Sequence, residues 1–281
     1  MSSLAKQIDT PVEENKVLDM YKDLQRRKKV ILKNRLVLWA IIAALVTWAW
    51  TGTNFSIAII YTGTANMAAF IFTDLLPPDF SAFGRYLQPA LQTVYMSLVG
   101  MVISVIFSIF FGFMAAKNTS FHPVIAFTSR AIIAFLRAIP ALIWGITLVV
   151  AFGLGPLAGT LALGLSGIGI LGKAFADVLE EIDQGQVDAV KATGASWFQT
   201  MGQGVWPQFK TGFVAWSLYK MDLNIREAAV LGLIGAGGIG YTLQGNINLF
   251  QYQQASVGIL MIFALILIVE YTTAKIRERL L

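Results

Sequence analysis

Four long stretches of the chain are predominantly apolar and carry no charged side chain. They cover residues 36–73, 86–116, 138–172 and 228–269. A helix needs about 20 apolar residues to cross the hydrocarbon of a bilayer, where every backbone polar group must be paired within the protein. The pattern therefore predicts an all-α membrane protein whose spans are helices.

Turn signals divide the apolar sequence into six predicted spans, over residues 36–53, 88–115, 124–153, 157–179, 211–234 and 254–273. Pro140 predicts a kink in the third span. Gly63 and the Pro77-Pro78 pair interrupt residues 54–85, so that segment is predicted to be re-entrant or interfacial on the extracytoplasmic side. A full span there is the alternative.

The distribution of charge predicts the topology. Nine of the 21 Lys and Arg residues lie in residues 1–35 and three in 274–281. Because basic residues favour the cytoplasmic side, six spans place both termini and residues 180–210 in the cytoplasm. Residues 1–35 then form a cytoplasmic amphipathic segment, and residues 36–88 form the first span plus the extracytoplasmic segment. The net charge of +5 is thus a topology signal and predicts no nucleic-acid partner.

Composition excludes several kinds of chemistry. Only 13% of the residues are charged, against about 25% in soluble domains, which argues against a soluble enzyme. There is no cysteine, and His122 is the single histidine, so a thiolate or His-rich metal site is not expected. Gly172-Lys173 resembles the end of a P-loop but lacks the Ser or Thr that follows it, and Gly235-x-Gly237-x-x-Gly240 lacks the strand context of a dinucleotide site. The sequence predicts no ATP site, no cofactor and no catalytic residue in this chain.

Small residues predict close packing between helices. They recur through residues 151–172, most densely at Gly164, Gly167, Gly169 and Gly172. Such surfaces let helices approach closely in lipid. Packing within the chain and a subunit interface both remain open.

The polar segment 180–210 resembles the signature loop of ABC importer permeases. Asp188, Ala189, Gly194 and Pro207 keep its register, including the full spacing from the glycine to the proline. In that family the loop forms a coupling helix that seats on the ATPase subunit. A helix is expected here from about residue 183 or 186 to Gly194, with Asp188 near its N-terminus, where the helix dipole favours a carboxylate.

The loop also departs from the family pattern. Asp188 replaces the usual glutamate, Val190 an alanine, Gly204 an aliphatic residue and Trp206 a leucine. The resemblance nevertheless implies an assembly in which the chain is one half of a homodimer. It would work with two separate ATPase subunits, which bind ATP and Mg²⁺, and with an extracytoplasmic solute-binding protein, in a bacterial inner membrane.

A second resemblance covers residues 222–240. The run Asn224-Ile-Arg226-Glu227 before the glycine loop is similar to permeases of the phosphonate and phosphite branch. Together with Arg137-Ala-Ile-Pro140, it implies a type I ABC importer permease core over residues 89–281 and a small oxyanion as substrate. The glycine loop alone is shared with methionine-type permeases, so an amino-acid importer is the alternative. An ion-coupled secondary transporter is the rival class, but it needs an acidic relay that the spans lack.

Cations within the apolar sequence are candidates for an anion path. Arg130 and Arg137 are seven residues apart and share a helix face. Guanidinium groups pair bidentately with phosphate-like groups. In the alternative, Arg226 pairs with Asp222, and the other two arginines anchor helix ends. The remaining path candidates are the polar residue beside Arg226 and the glycines that end the helix, namely Asn224, Gly235, Gly237 and Gly238.

Overall fold

The computed structural model describes residues 11–53 and 55–280, with side chains from residue 20 onwards. In this part of the chain the secondary structure is entirely helical, which confirms the predicted fold class. The α-helices in chain order are α1 (Pro11–Gly52), α2 (Ile57–Phe70), α3 (Phe83–Ala115), α4 (Pro123–Ala138), α5 (Ala141–Phe152), α6 (Pro156–Glu180), α7 (Gln184–Ala192), α8 (Trp197–Thr200), α9 (Trp206–Leu233), α10 (Gly238–Asn248) and α11 (Tyr252–Leu280).

The N-terminal helix α1 is continuous over 42 residues. It joins the predicted cytoplasmic segment to the predicted first span without a break near residue 35, because residues 22–35 are mostly good helix formers and no glycine occurs before Gly52. Residues 1–10 of the predicted segment lie outside the described residues. The part Met20–Gly52 is long and apolar enough to cross a membrane.

Six helices of the described chain are long and apolar enough to span, as predicted, but the set differs from the predicted one. It includes Ile57–Leu75, where α2 continues into a π-helical turn, because Gly63 does not interrupt the helix. The predicted third span is broken into α4 and α5, which are long and apolar enough only together and are bent by 87°; counted as one span, this pair makes a seventh. The bend lies at Pro140, the predicted kink, which caps the N-terminus of α5.

The centre of the core is a close seam between α3 and α6. A Cβ atom at Gly100 would lie 2.8 Å from the Cβ of Leu163, and one at Gly167 would overlap the hydroxyl of Ser104. The Ser104 hydroxyl donates to the Gly164 carbonyl at 3.1 Å. The small residues predicted to mediate close packing therefore do so within the chain.

Candidate functional site

The predicted coupling helix is present as α7. The Asp183 side chain caps its N-terminus by accepting a hydrogen bond from the Gly185 N–H at 2.8 Å. The helix ends at Ala192, and Gly194 follows with a φ of +81° while its N–H donates to the Lys191 carbonyl at 3.0 Å. Left-handed φ values favour glycine, which explains the residue type at this position.

Asp188 lies in the middle of α7 and not at its start. Its carboxylate accepts hydrogen bonds from the Lys191 ammonium at 3.0 Å and the Gln184 amide at 3.1 Å. These bonds hold the pKa of Asp188 below its ordinary value, and the bond from Lys191 has the larger effect. The expectation that Asp188 serves the helix dipole is therefore wrong, because Asp183 takes that place. Asp188 and Ala189 are both exposed on the outer side of α7.

The inner side of α7 explains two departures from the family pattern. Val187 is buried in the core cluster that also contains Phe175 and Phe209. A Cβ at Gly204 would lie 3.3 Å from the Val187 Cα and 3.7 Å from a Val190 methyl group, so glycine lets the π-helical turn Met201–Val205 close against α7. Pro207 then occupies the first turn of α9, where its missing N–H costs nothing.

Arg130 joins the first half of α4 to the ends of α3 and α6. Its Nε donates to the Ala115 carbonyl at 2.7 Å, and its terminal nitrogen binds the Glu180 carboxylate. The same carboxylate accepts a hydrogen bond from the Lys117 N–H at 2.9 Å. The ends of α3 and α6 and the first half of α4 are thus fastened at one level. Arg130 thus anchors helix ends, as the alternative to a path role predicted. A role for Arg130 in the anion path remains a prediction.

Arg137 has a different environment from Arg130. It is exposed at the end of α4, and within residues 11–53 and 55–280 its side chain makes no hydrogen bond or ion pair. Its backbone packs on Gly169, where a Cβ would lie 2.5 Å from the Arg137 nitrogen. Arg130 and Arg137 line one cavity of about 220 Å³, together with Lys173 and Asp177.

Arg226 lies between two carboxylates. Its guanidinium is 2.9 Å from Asp222 on α9 and 3.3 Å from Glu270 on α11. We call these three residues the α9–α11 charge triad. Because two carboxylates already flank the one guanidinium, the triad is a weak site for a further anion. The contact to Asp222 is the ion pair that the sequence offered as the alternative to a path role for Arg226. A role of Arg226 in transport remains a prediction.

A second ion pair in α9 escaped sequence reasoning. Lys220 is fully buried, and its ammonium is 2.9 Å from the Glu227 carboxylate. Between them, Asn224 is also fully buried and donates to the Ser97 carbonyl at 3.0 Å. The spacing of positions 220, 224 and 227 places all three on one helix face, which was the available signal.

The glycine loop is buried in protein. Gly235, Gly237 and Gly238 have φ values of 88°, 82° and 74°, conformations that L side chains rarely adopt. The Gly155 N–H donates to the Gly235 carbonyl at 2.9 Å, and the Gly238 N–H donates to the Gln92 side chain at 2.9 Å. The loop thus fixes α9 and α10 against the start of α6 and the N-terminal third of α3.

Residues 108–277 match the family model of the binding-protein-dependent transport system inner membrane component, which is more than half of the chain. The chain belongs to this family. It is a transport permease of the ABC importer type, with several membrane-spanning helices, in a family of inner-membrane components that work with ATPases and binding proteins.

Relatives of this permease include two phosphorus-oxyanion importers by name. The phosphite transport system permease protein PtxC of Stutzerimonas stutzeri is 38% identical over 205 residues, 73% of this chain and 74% of that protein. The phosphate-import permease protein PhnE of Mycolicibacterium smegmatis is 41% identical over 211 residues, 75% of this chain and 40% of that protein.

A solved structure of the MetNI methionine ABC transporter shares the fold of this permease. The TM-score is 0.62 with 18% identity, over 69% of this chain and 95% of that one. The type I ABC importer permease fold implied by the sequence is thereby confirmed. At this identity the likeness carries no information on the substrate.

Proposed function

We propose that this permease imports phosphite, a phosphonate or a similar small oxyanion. The observation that carries the proposal is the 38% identity to a phosphite transport permease over 73% of the chain. The run from Asn224 to Glu227 supports it through its resemblance to permeases of the phosphonate and phosphite branch. Arg137 supports it because its guanidinium, which suits a tetrahedral oxyanion, has no ion pair or hydrogen bond within residues 11–53 and 55–280. The methionine alternative rests on the shared glycine loop and on a likeness of fold at 18% identity.

The assembly that fits this chain is a homodimer with two ATPase subunits and an extracytoplasmic solute-binding protein. Each chain offers one coupling helix, α7, so two ATPases require two copies of the chain. ATP and Mg²⁺ would bind to the ATPases. In the lipid bilayer, the path would lie on the axis of the dimer, since a two-fold axis presents the same residues from both copies.

Coupling would pass from α7 into α9. The exposed side of α7, with Asp188 and Ala189, would meet the ATPase, while Val187 on its inner side packs on Gly204. Gly204 belongs to the π-helical turn Met201–Val205, which leads directly into α9, and α9 runs to the glycine loop. A shift of α7 on closure of the ATPase dimer would therefore move α9 between two packed arrangements.

The contacts of the core also support a topology. The Asp79 N–H donates to the Gln253 carbonyl at 3.0 Å, so α3 and α11 begin on one side, opposite α7. Because Arg130 contacts the end of α6 and α5 leads into its start, α4 and α5 together run from one side to the other. With α7 and both termini in the cytoplasm, α1 crosses and residues 57–75 do not. A crossing by both would put the basic N-terminus outside, against the positive-inside bias.

Reconstitution tests the substrate. The permease, its ATPase and its binding protein would be placed in proteoliposomes with phosphite, methylphosphonate or methionine outside and ATP inside. We expect the two phosphorus oxyanions to stimulate ATP hydrolysis and to accumulate inside, with methionine inactive. Stimulation by methionine alone would refute the oxyanion proposal and leave the family assignment intact.

A further inference from the structure

We infer that the cavity between α4 and α6 is an oxyanion site on the translocation path, with Arg137 as its principal ligand and Lys173 as a second cation. The inference rests on the proposed function and adds the place where the anion binds. It separates the three candidate arginines: Arg137 contacts the substrate, whereas Arg130 and Arg226 serve structure.

The depth of Arg137 in the helix bundle is the first support. Its backbone touches Gly169, which lies eleven residues before Glu180 in α6. At 1.5 Å per residue this is about 16 Å from the cytoplasmic end, close to the middle of a hydrocarbon core of about 30 Å. A charged side chain at that depth is costly in lipid and normally faces protein or water.

The absence of a counter-ion is the second support. The other cations of this region are neutralised within the described part of the chain, Arg130 by Glu180 and Lys173 by Asp177. Arg137 is exposed and has no such partner there. The ion pairs around the cavity cancel, and one positive charge is left over for an anionic ligand.

The geometry of the cavity is the third support. Its volume of about 220 Å³ holds a small phosphorus oxyanion with some of its water. Arg130 and Arg137 are separated by seven residues of α4, or about 10 Å along the helix, and Lys173 faces the space from α6. An anion bound by the Arg137 guanidinium could draw Lys173 from its pair with Asp177, because the side chains of that pair are 48% and 45% exposed and exposed ion pairs are weak.

The cysteine-free chain allows a direct measurement of the charge in the cavity. Ala134, an exposed residue of the lining, is three residues from Arg137 on the same helix. In the reconstituted complex, Ala134→Cys would be treated from the cytoplasmic face with an anionic sulfonatoethyl and a cationic trimethylammonium methanethiosulfonate. A unit charge about 6 Å away changes the local concentration of a monovalent reagent about tenfold at an effective dielectric constant near 40.

We expect Arg137→Gln to lower the ratio of anionic to cationic labelling at Ala134→Cys by up to about 100-fold, because the two reagents change about tenfold each in opposite directions. The same substitution should leave the ratio unchanged at Ala274→Cys, an exposed control site near the end of α11. Phosphite and methylphosphonate should slow labelling at Ala134→Cys, whereas chloride at equal ionic strength should not. In transport, Arg137→Gln should reduce phosphite uptake more than ATP hydrolysis, and Arg137→Lys should recover part of the uptake.

Three results would overturn the inference: an unchanged labelling ratio, no protection by either oxyanion, or wild-type uptake by Arg137→Gln. Failure of the proposed function has a different signature. In that case, the wild-type complex itself would show no ATP hydrolysis stimulated by phosphite or methylphosphonate.

Discussion

Replacement of Lys220 tests whether the buried ion pair of α9 holds the core together. The ammonium is fully buried and 2.9 Å from the Glu227 carboxylate, which is 28% exposed. Lys220→Met keeps the length of the side chain and removes its charge. It leaves Glu227 in a mostly apolar environment without its counter-ion.

The expected loss follows from this geometry. Breaking a buried pair on one side costs about 3–5 kcal/mol, and the partial exposure of Glu227 favours the lower end, near 3 kcal/mol. Removing both charges with Lys220→Met and Glu227→Gln should recover most of the loss, because no unpaired charge remains. The exposed pair Lys173–Asp177 is a matched control, with side chains 48% and 45% exposed. Its loss should cost only about 0.3–0.5 kcal/mol.

The measurement is a double-mutant cycle on the free energy of unfolding, obtained by SDS titration of the purified permease in mixed micelles. We expect a coupling energy of about 2 kcal/mol or more for the Lys220 pair and less than about 0.5 kcal/mol for the control pair. A cost below about 1 kcal/mol for Lys220→Met, or strict additivity of the two changes, would show that Lys220 and Glu227 are not coupled and would refute the reasoning.

Three further predictions test the coupling helix, the glycine loop and the charge triad. Gly194→Leu should leave membrane insertion intact but abolish stimulated ATP hydrolysis. Gly194→Asn should retain stimulated hydrolysis, because asparagine tolerates the left-handed φ of +81°. Normal uptake by the leucine variant would contradict this role of Gly194. In thermal unfolding, Gly240→Ala should destabilise the permease by about 2 kcal/mol or more, because its Cβ would collide with the Ala229 carbonyl. The control Gly245→Ala has open space around its Cβ and should be neutral or stabilising by about 0.5–1 kcal/mol. Arg226→Gln alone should reduce uptake, and amide replacement of the whole α9–α11 charge triad should restore it; an inactive triple variant would return Arg226 to the anion path.

The proposed topology has a separate test. Lys191 lies on α7, so a cysteine in its place should not react with an impermeant thiol reagent in intact cells and should react in inverted vesicles. A cysteine in place of Phe250, between α10 and α11, should give the opposite result. Labelling of the cysteine at 191 in intact cells would refute the cytoplasmic assignment.

Local signals in the sequence predicted much of the fold. The charge-free stretches gave the helical class and the number of spans, Pro140 gave the break between α4 and α5, and Gly194 gave the end of α7. These features depend on neighbouring residues. Gly63 does not interrupt α2 as expected, because one glycine costs a helix only about 1 kcal/mol, which its apolar neighbours outweigh.

Features that depend on tertiary contacts were less accessible. Asp188 and Asp183 are both plausible helix caps in sequence, and only the position of the helix start decides between them. Likewise, Arg130 and Arg137 look equivalent by spacing, yet Glu180, 50 residues from Arg130, neutralises only the former. Long-range partners of this kind decide which cation remains for a ligand.

The seam between α3 and α6 also bears on the order of synthesis. Gly164, the partner of Ser104, is made 60 residues later, or about 3–12 s at 5–20 residues per second. During that time α3 lacks its partner helix, and the hydroxyls on its packing face have no bonds to α6. The Ser97 and Ser104 hydroxyls donate to carbonyls of their own helix, at 2.8 Å to Thr93 and 2.7 Å to Gly100. Both groups can therefore be satisfied within α3 before α6 is made, and the Ser104 hydroxyl also reaches the Gly164 carbonyl once α6 packs against it.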